Sequence, residues 1–435
     1  MREQGIKILA LAILWFAAAD ASIVPSWPVS KFGRGFEQIA FNEDADLNTR
    51  KYQPINQNLI RQRELIEKYG YRGETHQVTT EDGYILEMHR ITGHNTDPSP
   101  VGKQPVLLMH GILASSTDWV ITGPDRAFAY LLADEGYDVW MGNIRGNTYS
   151  RKHKKHSTLS KSYWQFSWHE IGIRDIPAMI DYVLEKSNKR QLIYVAHSQG
   201  TTDFWVMASE LPEYQAKVKT IFALAPVAYL THVQSPFYKV ISKFGNDIEV
   251  RKKSTDIRFL LGHYEFEPTS ELVKEIKALV CHHEASTQPF CLNIIFLVAG
   301  FSSDQLNKTM LSAILGHVPA GASVKQMVHY AQVIKARKFQ QWDYGKWGNL
   351  KKYKRFHPPV YDLAKIRVPV HLHYSSSDWF ASPRDVDRLY EELGNPVGKF
   401  RVPHEKFAHL DFLWANDGRP LLYDKIVGLM KKYKD

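Results

Sequence analysis

A chain of 435 residues, 44% hydrophobic and 23% charged, can bury a large core and lacks the bias of a disordered, fibrous or repetitive protein. Its formal net charge of +9 raises the question of an anionic partner. The two basic runs, Arg151 to His156 and Lys351 to Arg355, read as solvated faces, and no nucleic-acid partner is expected.

At the N-terminus, Arg2 and Lys7 precede an unbroken apolar stretch, Ile8 to Ala19, and the small-x-small triplet Ala19-Asp20-Ala21. This pattern predicts a secretory signal peptide over residues 1–21. The stretch falls short of the roughly 20 residues that span a bilayer, and the best later run, Ile294 to Phe301, is shorter still. No transmembrane segment is therefore expected. Residues 22–55 lack periodicity and read as an extension or propeptide.

From Asn58 onward the pattern becomes regular. Leu59 to Tyr69 has helical apolar spacing ended by Gly70, and Thr75 to Arg90 alternates around Glu81-Asp82-Gly83, which predicts a helix followed by a hairpin. Val106 to Met109, Tyr137 to Met141, Leu192 to Val195 and Thr220 to Leu224 are compact apolar runs separated by helical patterns such as Asp125 to Asp134 and Ile173 to Glu185. Strands alternating with helices predict parallel βαβ units. The alternation stops after Ala225-Pro226 and resumes at Val368 to Tyr374, so an inserted cap is expected between them. A helix from about Pro383, a strand near Lys399 to Val402 and a helix from about Pro420 close the chain.

The most informative segment is Ala196-His197-Ser198-Gln199-Gly200, between an apolar strand and a helical stretch. A serine hydroxyl is a weak nucleophile, and small-x-Ser-x-Gly on a strand-to-helix turn is how α/β-hydrolases expose one. Ala196 stands where that pattern usually has glycine, a minor departure expected to tune the packing of the turn. Such a serine needs a base and an orienting acid, in the chain order Ser, Asp or Glu, His. Asp378 follows the strand ending at Tyr374, with Asp385 and Asp411 as competitors, and Asp385 is disfavoured because it falls inside a predicted helix. His404 and His409 compete for the base, and spacing does not separate them. Two backbone N–H groups must hold the developing oxyanion; Gln199, after the nucleophile, and Ile112, after Gly111 in the loop following the first apolar strand, are the candidates.

Cys281 and Cys291 are the only cysteines, and in an oxidising compartment a disulfide is the economical reading, with two buried thiols as the alternative. Closing so short a loop contributes roughly 2–3 kcal/mol, enough to pin a flap but not to hold the whole fold. Asn307-Lys308-Thr309 is the single N-glycosylation acceptor.

Tyr69-Gly-Tyr71, Val78 to Leu86, His110-Gly-Ile-Leu-Ala-Ser115, Gly142 to Thr148, His197-Ser-Gln-Gly200 and His409-Leu-Asp-Phe412 together resemble the acid lipase family, which includes gastric and lysosomal acid lipases. The resemblance runs from Asn58 to the end. It implies an α/β-hydrolase core with a mainly parallel sheet, in two parts over 56–228 and 365–435, and an inserted, mostly helical cap with a mobile lid over 229–364. It implies Ser198, Asp378 and His409 as nucleophile, acid and base, Ile112 and Gln199 as oxyanion donors, and a Cys281–Cys291 bond. It further implies hydrolysis of triacylglycerols or cholesteryl esters at a lipid–water interface, without metal or cofactor, in a secreted or lysosomal protein. The aromatic stretch Phe290 to Phe301 could line an acyl slot or be cap core. The alternatives left by the sequence are a small-ester or thioester hydrolase of the same fold and a non-catalytic lipid-binding protein.

Overall fold

The computed structural model describes residues 62–97, 99–235, 238–239, 264–266 and 304–434. The expected signal peptide, the extension, both cysteines and the Phe290 to Phe301 stretch lie outside the described residues.

Helix α1 (Gln62–Lys68) leads into a hairpin of β1 (Tyr71–Thr79) and β2 (Tyr84–His94), paired antiparallel from Tyr71 with His94 to Thr79 with Ile85. The turn falls at Glu81-Asp82-Gly83 as the alternation predicts, with Gly83 at φ 98°, a conformation open to glycine at little cost. Strands β3 (Gln104–Met109) and β4 (Tyr137–Gly142) follow, then the two-residue β5 (Lys152–His153), β6 (Leu192–His197) and β7 (Val218–Leu224). After a two-stranded pair, β8 (Glu265–Phe266) with β9 (Ala322–Ser323), the main sheet resumes with β10 (Val370–Tyr374) and β11 (Pro396–Arg401).

The order across the main sheet is β1-β2-β4-β3-β6-β7-β10-β11, with β5 added to β2. From β4 to β11 every neighbouring pair is parallel, and the antiparallel pairings are confined to the hairpin end. Strands β3, β4 and β6 are buried at every residue because helices cover both faces of the sheet, which is why they read as continuous apolar runs. Those helices are α2 (Phe128–Asp134), α3 (Ile176–Ser187), α4 (Gln199–Glu210), α8 (Pro383–Glu392) and α9 (Asp424–Met430). Between β7 and β10 the described residues form α5 (Leu311–His317), α6 (Val324–Ala336) and α7 (Gly345–Tyr353).

Two differences from the sequence reading have local causes. The run Leu192 to Val195 extends as strand through Ala196 and His197, whose neighbours on β3 and β7 are in register. The helix read from Ile173 begins earlier, at Trp168, and passes through a wider turn over Ile171–Asp175 before α3. Ser167 starts it with a capping box, its hydroxyl accepting from the His169 N–H while Glu170 accepts from the Ser167 N–H.

Candidate active site

Each sequence-singled residue of the site stands just beyond the C-terminal end of a parallel strand, where open α/β sheets gather their functional loops: Gly111 and Ile112 after β3, Ser198 after β6, Asp378 after β10 and His409 after β11. Ser198 has φ 53° and ψ −119°, a strained backbone for a residue with a side chain. The turn is held from both sides, since the Ser198 N–H donates to Leu224 O at 3.0 Å and its carbonyl accepts from Thr201 Oγ1 at 2.6 Å. Gly200 makes the turn sterically feasible. A Cβ at Gly200 would lie 2.7 Å from Met109 O and 2.9 Å from His110 O, so no larger residue fits between helix and strand.

A hydrogen-bonded line crosses the site. His409 Nε2 is 2.8 Å from Ser198 Oγ, and His409 Nδ1 is 2.8 and 3.0 Å from the two oxygens of Asp378. Asp378, fully buried, also accepts from the N–H groups of Phe380 and Ala381 at 2.8 and 2.9 Å, which fixes its carboxylate plane. The three competing residues are engaged elsewhere: His404 faces Asp304, Asp385 accepts from the His232 N–H and approaches its ring, and Asp411 accepts from the Ala408 N–H.

The loop after β3 lies against the serine, since a Cβ on Gly111 would be 3.0 Å from Ser198 Cβ and 3.5 Å from its Oγ. His110 shapes this loop: its ring is 2.7 Å from Gly111 O through Nδ1, and Nε2 accepts from the Ile144 N–H and from Asn147 Nδ2. Burial pushes the His110 ring down to about 4, so it stays neutral and keeps that acceptor. Gln199 opens α4, where the first-turn N–H groups have no preceding helical carbonyl to bond.

Three residues that the motifs do not flag complete the surroundings. His197 is buried and donates through Nε2 to the carbonyl of His409 at 2.9 Å, tying the Ser198 turn to the His409 loop. Burial and the neighbouring His409 and His110 rings keep it neutral, well below the ordinary histidine range. On α6, Gln326 Nε2 donates to Gln199 Oε1 at 3.1 Å, and Tyr330 donates to Thr202 Oγ1 at 3.0 Å. Gln326 lies 127 positions from Gln199, and nothing in its local sequence announces the contact. His197, adjacent to the serine, could have been suspected from the motif itself.

Arg145, inside the Gly142 to Thr148 phrase, is a structural clamp. It donates to Asp82 in the hairpin turn at 2.6 and 2.9 Å and to Asp175 ahead of α3 at 2.7 Å, and its guanidinium lies 3.9 Å from the Tyr84 ring centroid. Asn307 sits at a half-buried position where its Oδ1 accepts from the Thr309 N–H and hydroxyl. Among the described residues no cluster of three or more His, Cys, Asp or Glu is arranged to hold a metal ion, and no helix is long and apolar enough to cross a membrane.

Residues 62–123 match the partial alpha/beta-hydrolase lipase region, and residues 104–261 match the alpha/beta hydrolase fold. Lipase 3 of Drosophila melanogaster is 42% identical over 85% of this chain and 93% of its own length. The chain belongs to the acid lipase family of α/β-hydrolases. The human lysosomal acid lipase/cholesteryl ester hydrolase is 36% identical to this lipase over 94% of the chain and 96% of that protein. The gastric triacylglycerol lipase of Bos taurus is also 36% identical, over 91% and 94% respectively. Among solved structures, a putative lipase from Sulfolobus solfataricus superposes with a TM-score of 0.56 at 13% identity, covering 84% of this lipase and 95% of that chain, a likeness of fold.

Proposed function

We propose that this lipase is a serine hydrolase of neutral lipid esters, triacylglycerols and cholesteryl esters, acting through an acyl-enzyme. The observation that carries the reading is the hydrogen-bonded line from Ser198 through His409 to Asp378 at a strained strand-to-helix turn. In the scheme, Ser198 Oγ attacks the ester carbonyl while His409 Nε2 takes its proton, and Asp378 holds the ring and stabilises its charged form. The amides of Ile112 and Gln199 receive the oxyanion, an interaction whose loss costs about 10²–10³ in turnover per donor. His409 then returns the proton to the leaving alcohol, and water repeats the sequence to release the fatty acid.

The substrate class rests on the names borne by the relatives, a gastric triacylglycerol lipase and a lysosomal cholesteryl ester hydrolase. The same names support a secreted protein or one of the lysosomal lumen. The proposed cap spans 229–364, with a Cys281–Cys291 bond inside it and Asn307 as its glycan site. In Ser198→Ala protein with an unchanged circular dichroism spectrum, ester hydrolysis should fall by a factor on the order of 10⁴ or more. Retained activity overturns the assignment. A panel of emulsified triglyceride, cholesteryl ester and soluble short ester, at acid and neutral pH, tests the substrate class; exclusive turnover of the short ester would reject the lipid reading.

A further inference from the structure

Helix α7 and the turn after it carry an aromatic pair that the core does not use. Trp347 is 72% exposed and Phe356 45% exposed, and their rings meet edge to face at 6.1 Å. The Lys346 ammonium lies over both rings, 5.7 and 5.1 Å from their centroids. Large aromatics held together in water are costly for a surface that contacts nothing else. Val360, 52% exposed, adds apolar area close by in sequence.

The platform beneath the pair is firmly built. Buried Asn349 donates to Phe356 O at 3.1 Å and to Asp343 Oδ1 at 2.7 Å, and accepts from the Tyr344 N–H at 2.9 Å. Asp343 in turn exchanges backbone bonds with the Gln332 side chain on α6, at 2.9 Å each way. The turn is thus fixed to the helix that contacts the nucleophile helix.

The segment itself carries charge of one sign only; of the carboxylates that act on Tyr353 from neighbouring elements, Glu170 faces Lys325 and Glu210 accepts from Gln341. Lys346, Lys351, Lys352, Lys354 and Arg355 are all exposed, and none of them forms an ion pair among the described residues. Residues 344–360 contain no Asp or Glu. The nearest acid in sequence, Asp343, is occupied by Asn349 and the Gly345 N–H.

We infer that this face docks the protein on an anionic lipid surface, with Trp347 and Phe356 entering the headgroup boundary and the five cations engaging acidic headgroups. A soluble polyanion would match the cations but gain nothing from exposed rings, and an uncharged lipid surface would match the rings but not the cations. Tryptophan suits the boundary because one end of the ring is apolar and the other polar, and lysine stems lie along apolar surface while their ammonium groups stay in water. The inference extends the lipase reading by naming the surface at which the enzyme works, and it is measured without turnover.

Full-length Ser198→Ala protein is mixed with vesicles of phosphatidylcholine, with and without one third phosphatidylserine, and bound protein is separated by flotation. Binding should favour the phosphatidylserine vesicles by at least about 100-fold, three or more fivefold factors, and weaken with salt. Lys352→Ser should lower that partition about fivefold, and Lys351→Ser with Lys352→Ser and Lys354→Ser about 100-fold, at roughly one fivefold factor per cation. Trp347→Ala with Phe356→Ala should weaken binding to both vesicles while preserving the preference for phosphatidylserine. The same substitutions placed on the Ser198 chain should leave soluble-ester turnover unchanged. Equal binding to both vesicles, variants that bind like the parent, or aromatic variants that bind undiminished while heparin competes fully would each overturn the proposal. Failure of the lipase reading would appear separately, as ester turnover surviving Ser198→Ala.

Discussion

Asp203 lies one turn after Gln199 on α4, fully buried, and neither of its oxygens has a hydrogen-bond partner. Burial raises its proton affinity well above the ordinary carboxylate range, and the negative charge of Asp175 adds to this; Gln199 lowers it but is not aligned for a hydrogen bond. The groups facing it from neighbouring elements, Tyr194 on β6 and Tyr330 on α6, are themselves buried phenols whose proton affinities are pushed up. Asp203 therefore keeps its proton to higher pH in the folded chain than in the unfolded one. Below about pH 4 both states hold the proton and the group contributes nothing; as pH rises the unfolded state loses its proton first, so stability falls until the folded carboxyl titrates. Within that window the loss is about 1.4 kcal/mol per pH unit. Asp203→Asn should match the parent near pH 4 and melt at a higher temperature at pH 7, as read by circular dichroism across the pH range. Parallel melting curves at every pH would contradict this.

At the scale of the element, α6 is the most consequential helix outside the core. Its first turn is closed by a capping box in which Ser323 accepts from the Gln326 N–H and Gln326 Oε1 accepts from the Ser323 N–H. The Ser323 hydroxyl also donates to Phe166 O at 2.6 Å, and Gln326 reaches on to Gln199. Two residues thus start the helix and tie it to the core, Ser323 through Phe166 and Gln326 through the side chain that follows Ser198. Ser323→Ala should cost about 1–2 kcal/mol of stability, measured by urea unfolding, because it removes the cap and leaves a buried carbonyl unpaired. A cost within a few tenths of a kcal/mol would mean that the cap contributes little to α6. The sequence betrays this helix only weakly, since Ser323 and Gln326 form an ordinary capping pattern that many loops share.

Across the whole molecule, the described residues from α1 onward belong to one compact unit. The seam between α6 and the core is aromatic as well as polar: Trp168 stacks on His329 at 3.6 Å and packs near Phe339 and Tyr361. Leu113, in the loop after β3, accepts from the Ala320 N–H at 2.6 Å, which closes the seam on the side of the candidate oxyanion donors. Such continuity predicts a single melting transition, with tryptophan fluorescence and far-ultraviolet circular dichroism coincident; Gln326→Ala should shift both downward together. Two separated transitions would show that α6 and the core unfold independently.

What the sequence determined by itself was local. Strand and helix periods and the serine on its turn are written in neighbouring residues, because backbone geometry and burial impose their periods over a few positions, and the order Ser, Asp, His is read directly along the chain. The apolar runs of β3, β4 and β6 already read as strands of parallel βαβ units. The sequence could not rank His409 against His404, because both follow the same strand and only the folded loop turns one ring to Ser198 and the other to Asp304. Nor could it reveal that Gln326 meets Gln199, that His197 holds the His409 carbonyl, or that Asp203 is buried without a partner. Those facts depend on which distant side chains share a buried space, and only the packing of the whole chain decides that.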